Sequence, residues 1–149
     1  MKQKSRADRR AEVRFIGEVV NIDGETAALQ VYPQYCDGLR EIGSYSHLII
    51  LYWAHQRDNE YERQTTMVFP RRHGRRISTG VFACRSPSRP NPVCFCVVEL
   101  LEVEGCRLKV KGLDAELGSP IVDIKPYHPH SDSIPDAKFP EWVLNRTHG

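Results

Sequence analysis

The residues best suited to chemistry lie together in the stretch Gly80-Val81-Phe82-Ala83-Cys84-Arg85-Ser86-Pro87-Ser88-Arg89-Pro90-Asn91-Pro92. A guanidinium grips a carboxylate or phosphate through two parallel hydrogen bonds. Pro87, Pro90 and Pro92 fix φ and remove backbone donors, so Arg85 and Arg89 stand on a stiff loop that loses little entropy on binding, with Asn91 as a further polar contact. Ion pairs with nearby acids are the structural alternative for both arginines. Just upstream lie Arg71, Arg72, Arg75 and Arg76, and residues 71–89 contain no acid. Such a segment suits a phosphate backbone, an acidic small molecule or an anionic cofactor, or it remains a solvated basic loop.

A second set of candidates is dispersed. Asp114 and Asp123 are carboxylates able to accept a proton or a cofactor hydroxyl, although Asp in a turn also bonds its own backbone. Lys125 and Tyr127 flank Pro126 and are placed to orient a substrate or stabilise developing charge; for Tyr127 simple packing is the rival. Cys94-Phe95-Cys96 puts both thiols on one face if the segment is extended. Two thiols do not make a metal site, and His73, His128 and His130 stand at no ligand spacing, so no metal is expected. His47 and His55 flank an apolar run, where His47 reads as a core or capping residue.

The elements that must position these side chains are mostly strands. Residues 15–22 and 26–32 flank Asp23-Gly24, a pair that tolerates positive φ and predicts a hairpin. His47 to Trp53 is a continuous apolar run that suits a central strand covered on both faces. Val97 to Glu104 and Arg107 to Gly112 form a hairpin around Gly105, with Arg107, Lys109 and Lys111 outward and Leu108 and Val110 inward. Ile121 to Ile124 adds a short strand closed by Pro126. Tyr35 to Ile42 and Asp58 to Gln64 supply only short helical turns. The pattern predicts a mainly β fold, a small closed or partly closed β-barrel with short helical turns and an irregular Pro-rich C-terminal tail.

Composition sets the frame. With 149 residues, 27% charged and 40% hydrophobic, and 10 Gly and 10 Pro, the chain reads as one compact domain. Residues 1–14 carry six basic and two acidic side chains, which marks a basic arm ahead of a domain spanning 15–127. The tail, 128–149, is expected to wrap the surface or a partner, anchored by Trp142. No apolar run approaches the ~20 residues a bilayer requires, so no membrane association is expected and a cytoplasmic location is. Five cysteines, an odd number without CxxC spacing, read as reduced thiols.

The Arg-Ser-Pro loop, together with Phe15-Ile16-Gly17, Tyr35-Cys36-Asp37-Gly38-Leu39, Tyr45-Ser46-His47-Leu48, Gly112-Leu113-Asp114 and the run Ser119 to Tyr127, closely resembles the TrmO/TsaA-like family. The resemblance implies a homodimeric β-barrel methyltransferase that uses S-adenosylmethionine. The family's characterised activity is methylation of the exocyclic nitrogen of threonylcarbamoyl-adenosine in tRNA. By motif position it implies cofactor contacts from His55, Gln56, Arg85, Phe95, Leu113 and Asp114, some of them through backbone groups. Arg89, Asn91, Arg71 and Arg72 are then the substrate contacts, and Asp114, Lys125 and Tyr127 the catalytic candidates.

The chain also departs from the family pattern. The connection after the first strand lacks the Pro-Arg-Gln-Pro-like stretch that approaches the cofactor. Val93-Cys94-Phe95-Cys96 stands where the family has Ile-Gly-Leu-Ser, and Leu117-Gly118-Ser119-Pro120 where it has Asp-Gly-Thr-Pro. Longer bacterial members carry a C-terminal extension implicated in handling tRNA, whereas this sequence stops at Gly149. A different, smaller methyl acceptor is therefore the alternative substrate. A noncatalytic module that senses S-adenosylmethionine or binds RNA is the alternative from another class.

Overall fold

The structure is a computed structural model and describes residues 5–145. Of the basic arm and the tail, residues 1–4, with Lys2 and Lys4, and residues 146–149 lie outside it. Eight strands follow in chain order: β1 (Gly17–Asp23), β2 (Thr26–Val31), β3 (His47–Trp53), β4 (Met67–Val68), β5 (Thr79–Gly80), β6 (Val93–Glu104), β7 (Arg107–Lys111) and β8 (Pro120–Pro126). Six of them form a closed barrel in the order β1-β2-β7-β6-β3-β8. Every pairing in the ring is antiparallel. The seam between β1 and β8 is short, resting on Gly17 opposite Ile121 and Glu18 opposite Pro120. Closure satisfies backbone groups that an open sheet would leave at two exposed edges.

The alternation read for β7 extends to the other strands and builds the barrel core. Leu29, Leu48, Ile50, Leu108, Val110 and Ile121 are fully buried, contributed by the inward faces of β2, β3, β7 and β8. β3 is hydrogen-bonded to β6 on one side and β8 on the other, and, contrary to expectation, it is not covered on both faces: Leu48 and Ile50 point into the core, while Ile49 and Leu51 on the outer face are only half-buried. The outward cations of β7 alternate with Leu108 and Val110, as expected. Tyr35 to Ile42 becomes a 3-10 segment over Pro33–Leu39, and the polar stretch near residue 60 becomes a single turn, α1 (Glu60–Arg63), capped by the Asn59 side chain.

Three further expectations are corrected. The first hairpin turns at Gly24-Glu25 rather than Asp23-Gly24: Asp23 still pairs with Thr26, and the left-handed position falls on Gly24 at φ 60°. β6 starts at Val93, four residues earlier than expected, because full pairing with β3 stabilises extended backbone right after Pro92. The cysteines are not all reduced thiols. Cys36 and Cys106 form a disulfide with Cα atoms 5.3 Å apart, tying the 3-10 segment to the β6–β7 turn. The fold, not the spacing of 70 residues, brings them together.

Two smaller units lie outside the ring. β4 and β5 pair with each other and hold the Arg-rich stretch between them as a flap. The tail forms one helical turn, α2 (Pro129–Asp132), and then a 3-10 turn at Glu141–Leu144 whose Trp142 stacks against the flap, in keeping with its expected role as anchor. Among the described residues no helix is long and apolar enough to cross a membrane.

Gly17 sits where a Cβ would meet the Gln30 carbonyl oxygen at 2.2 Å, whereas a Cβ at Gly38 would meet open space. Gly17→Ala should lower stability by about 1–3 kcal/mol in urea denaturation, and Gly38→Ala should change it little. The disulfide closes a long loop, so reduction should lower the melting temperature, with an upper bound of about 4 kcal/mol from loop-closure entropy. Alkylation of the unfolded, unreduced chain should label Cys84, Cys94 and Cys96 alone.

Candidate functional site

Beyond β7 the chain does not return along the outside of the barrel. Residues 112–119 cross one mouth of it, with Leu113 and Ala115 packed on the core and Gly118 donating to the Val19 carbonyl. This crossing contains the Gly112-Leu113-Asp114 turn. Inward-facing side chains of β3 and β6 hold it from below: the Tyr52 hydroxyl donates to the Asp114 carbonyl, and Cys96 Sγ lies 3.0 Å from the Gly112 carbonyl oxygen. From the flap, Arg72 Nη2 reaches Asp114 Oδ2 at 2.5 Å. The carboxylate in turn holds the Arg72 guanidinium above its ordinary pKa, by hydrogen bond and by charge.

The inner wall carries the larger electrostatic perturbations. Burial drives the Tyr52 phenol well above the usual tyrosine value, and the neighbouring Cys94 and Asp114 push in the same direction. Burial likewise raises the Cys94 thiol, with Arg89 opposing it. Both groups therefore stay neutral through the physiological range, and the phenol remains a donor. Cys94 and Cys96 share the inward face of β6, half-buried and packed on the core.

The Arg-Ser-Pro loop is braced from α1. Arg63 donates from Nε to the Pro90 carbonyl at 2.7 Å and from Nη2 to Asn91 Oδ1 at 3.0 Å, while its guanidinium lies 5.6 Å from the centre of the Trp53 ring. Asp58 completes its partners at 3.2 Å. Glu62, held below the ordinary carboxylate value by its bond to Ser88 and then by Arg57, adds a second tie. Arg89 turns inward and donates to the carbonyls of Val81 and Cys84, so its fork holds its own loop rather than an ion pair. Arg85 turns outward, with its guanidinium 4.7 Å from the centre of the Phe95 ring.

The expected site residues thus fall into neighbouring groups. Leu113, Asp114 and Arg72 meet at the barrel mouth. Arg85 and Phe95 lie on the outer face of β6, where Phe95 pairs with Leu51 and Leu51 with Asp123. Lys125 pairs with that Asp123 at 3.2 Å, and Tyr127 makes an edge contact with the His47 ring at 6.4 Å. His55 and Gln56 are exposed on the 3-10 turn that ends β3. Arg71 is exposed on the flap, and Asn91 is held by Arg63. The two-residue β1–β2 turn leaves no counterpart to the family's longer connection. Tyr52 and Arg63 were not among the expected site residues. Only the inward parity of Tyr52 in β3 could have flagged it, and nothing local flags Arg63.

An all-antiparallel six-strand barrel with a proline-stiffened Arg loop and a turn-bearing segment across its mouth defines a closed β-barrel domain of non-Rossmann type. The chain belongs to the tRNA-methyltransferase O N-terminal domain family, whose model matches residues 18–133. It is 43% identical over 131 residues to a probable S-adenosyl-L-methionine-binding protein of Methanothermobacter thermautotrophicus, covering 88% of this chain and 85% of that protein. It is 42% identical over 125 residues to the tRNA (adenine(37)-N6)-methyltransferase of Escherichia coli, covering 81% of this chain and 52% of the enzyme. The crystal structure of TrmO from Pseudomonas aeruginosa superposes with a TM-score of 0.72 at 25% identity, over 92% of this chain and 63% of that one. The chain spans as little as 30% of a longer relative, a probable S-adenosyl-L-methionine-binding protein of Archaeoglobus fulgidus that is 49% identical over 115 residues.

The raised Tyr52 phenol yields a spectroscopic prediction. In a titration followed at the phenolate band, the native protein should show no phenolate from Tyr52 up to about pH 11, so Tyr52→Phe should leave the curve unchanged below that pH. Stability at alkaline pH depends on the same phenol. Because the folded value is raised, the contribution of Tyr52 is complete below the ordinary tyrosine value and is lost as pH climbs through the raised one.

Proposed function

We propose that this chain is a methyltransferase that uses S-adenosylmethionine and acts on tRNA, with threonylcarbamoyl-adenosine as the acceptor. The observation that carries the reading is the convergence of family membership with a braced loop that presents Arg85 beside Phe95 and a turn that presents Leu113 and Asp114. The donor set fits the cofactor chemically. Arg85 suits a carboxylate, Asp114 an ammonium or hydroxyl, and exposed Phe95 and half-buried Leu113 an apolar or ring surface. When bound, the cofactor supplies a methyl group on a sulfonium.

This chain's own part is positioning and proton handling. His55 and Gln56 at the end of β3 and the backbone of the 112–114 turn hold one partner while the stiff Arg loop limits its movement. An amide-like nitrogen must lose its proton to be methylated, and Asp114 and Asp123 are the carboxylates nearest the two groups of site residues. Each has a cation beside it, Arg72 and Lys125 respectively, so neither is an isolated base. Lys125 and Tyr127 border the Asp123 side and orient the acceptor.

A second copy of the chain covers the outer face of β6, where Val93, Phe95 and Val97 are 37%, 44% and 42% exposed in a row beside Arg85. The barrel spanning 15–127 is then the catalytic unit, working in the cytoplasm with the arm and tail as accessories.

S-adenosylmethionine at 100 times its Kd should stabilise the protein by about 2.7 kcal/mol, read as a rise in melting temperature, and Arg85→Ala should remove most of that rise. Mass spectrometry of tRNA nucleosides from cells with and without the protein should show the methylated nucleoside only when it is present. Identical nucleoside profiles would overturn the tRNA assignment.

A further inference from the structure

Between β4 and β5 the surface of the flap carries a shallow, open depression lined by Phe69, Arg71, Gly74, Arg75 and Arg76. Of the expected site residues it shares only Arg71, and it lies apart from Arg85, Phe95, Leu113 and Asp114. Arg75 is fixed there from two directions: its Nε donates to Thr79 Oγ1 at 2.9 Å, and its guanidinium lies 4.7 Å from the centre of the Trp142 ring. Trp142 is seated in turn by an edge contact with the His73 ring at 5.4 Å, and His73 Nδ1 bonds the Asn145 carbonyl at 2.8 Å. Neither Nη atom of Arg75 donates to another described residue, so a pre-oriented fork stands at the depression. Phe69 is 57% exposed on the lining. No Asp or Glu occurs between Glu62 and Glu99, so no acid from the flap itself competes for Arg75 and Arg76.

An exposed aromatic ring beside a rigid guanidinium matches an unstacked base joined to a phosphate. An acidic peptide would use the cations and leave the ring idle. Packing a half-exposed indole of the chain's own tail against Arg75 also fixes the fork before any partner arrives, which lowers the entropy lost on binding. We propose that Phe69, Arg75 and Arg76, braced by Trp142, form a nucleotide-binding subsite that takes one unstacked base and its adjacent phosphate from a single-stranded stretch of RNA. This rests on the tRNA reading above and adds to it a contact away from the methyl-transfer groups.

The test uses the full chain and an oligoribonucleotide of about ten nucleotides, with affinity measured across a salt series. Phe69→Ala should weaken binding about tenfold at every salt concentration and leave the salt slope unchanged, because stacking releases no counterions. Arg75→Ala should reduce the slope by about 0.7, the share of one phosphate on a single strand. Trp142→Ala removes no charge and should still weaken binding. Phe69→Leu keeps the apolar bulk without the ring, so it guards against a folding artefact and should resemble Phe69→Ala.

Unchanged affinity in both Phe69 variants would overturn the subsite, as would equal competition by a polyglutamate peptide of the same length. All variants should keep the thermal shift with S-adenosylmethionine. If that shift is present but the unaltered protein binds no oligoribonucleotide, the subsite fails while cofactor binding stands. If RNA binding follows the expected pattern but tRNA nucleosides are unmethylated, the methyltransferase reading fails and the subsite stands.

Discussion

The hydrogen bond from the Tyr52 hydroxyl to the Asp114 carbonyl is the contact through which the barrel interior governs everything above its mouth. A phenol buried among apolar side chains must find an acceptor, and the backbone that crosses the mouth supplies one. The bond fixes the height of the 112–114 turn over β3 and β6. Arg72 then hangs the flap from the same residue through the Asp114 carboxylate, and Trp142 closes the other side of the flap. A rigid core, a short turn, a basic flap and the tail thus form one mechanical series, each linked to the next by a directional contact.

The Arg-Ser-Pro loop shows how two arginines in one motif divide their labour. Arg89 is half-buried and spends its donors on backbone carbonyls that proline-rich geometry leaves without amide partners. Arg85, four residues earlier in sequence, is exposed and faces a ring. Arg63 reinforces the division from outside by taking the Pro90 carbonyl and the Asn91 side chain together. Stiffness in this loop is therefore only partly a property of its prolines; much of it is imported from α1.

β7 was readable because burial on one face imposes a period of two, plain in Leu108 and Val110, whereas β3 was readable as a strand only from its continuous apolar run, which hid that Leu48, Ile50 and Tyr52 alone point into the barrel while Ile49 and Leu51 are half-buried outside. The family resemblance singled out Arg85, Phe95, Leu113 and Asp114 as candidates, and the structure sets Arg85 against Phe95 and Leu113 beside Asp114. The contacts that hold them were not readable. Tyr52 meets Asp114 across 62 positions and Arg63 meets Pro90 across 27, and no local pattern encodes a bond made only by barrel closure. The Cys36–Cys106 pair was hidden for the same reason, since an odd count of scattered thiols carries no signal about which two will be neighbours.

That disulfide also divides the chain into parts with different topological fates. β3, β4, β5 and β6 lie inside the covalent loop, while β1 and β2 precede it and β7 and β8 follow it. An unfoldase pulling from either terminus could strip the outer strands in sequence, but on reaching Cys36 or Cys106 it would have to draw a doubled polypeptide through its pore. A protease that nicks the exposed flap near Gly74 would cut inside the loop, and the two fragments would remain one molecule until a reductant released them. The cross-link therefore places the basic flap, like the Arg-Ser-Pro loop, within the span where a single scission leaves the two halves covalently joined.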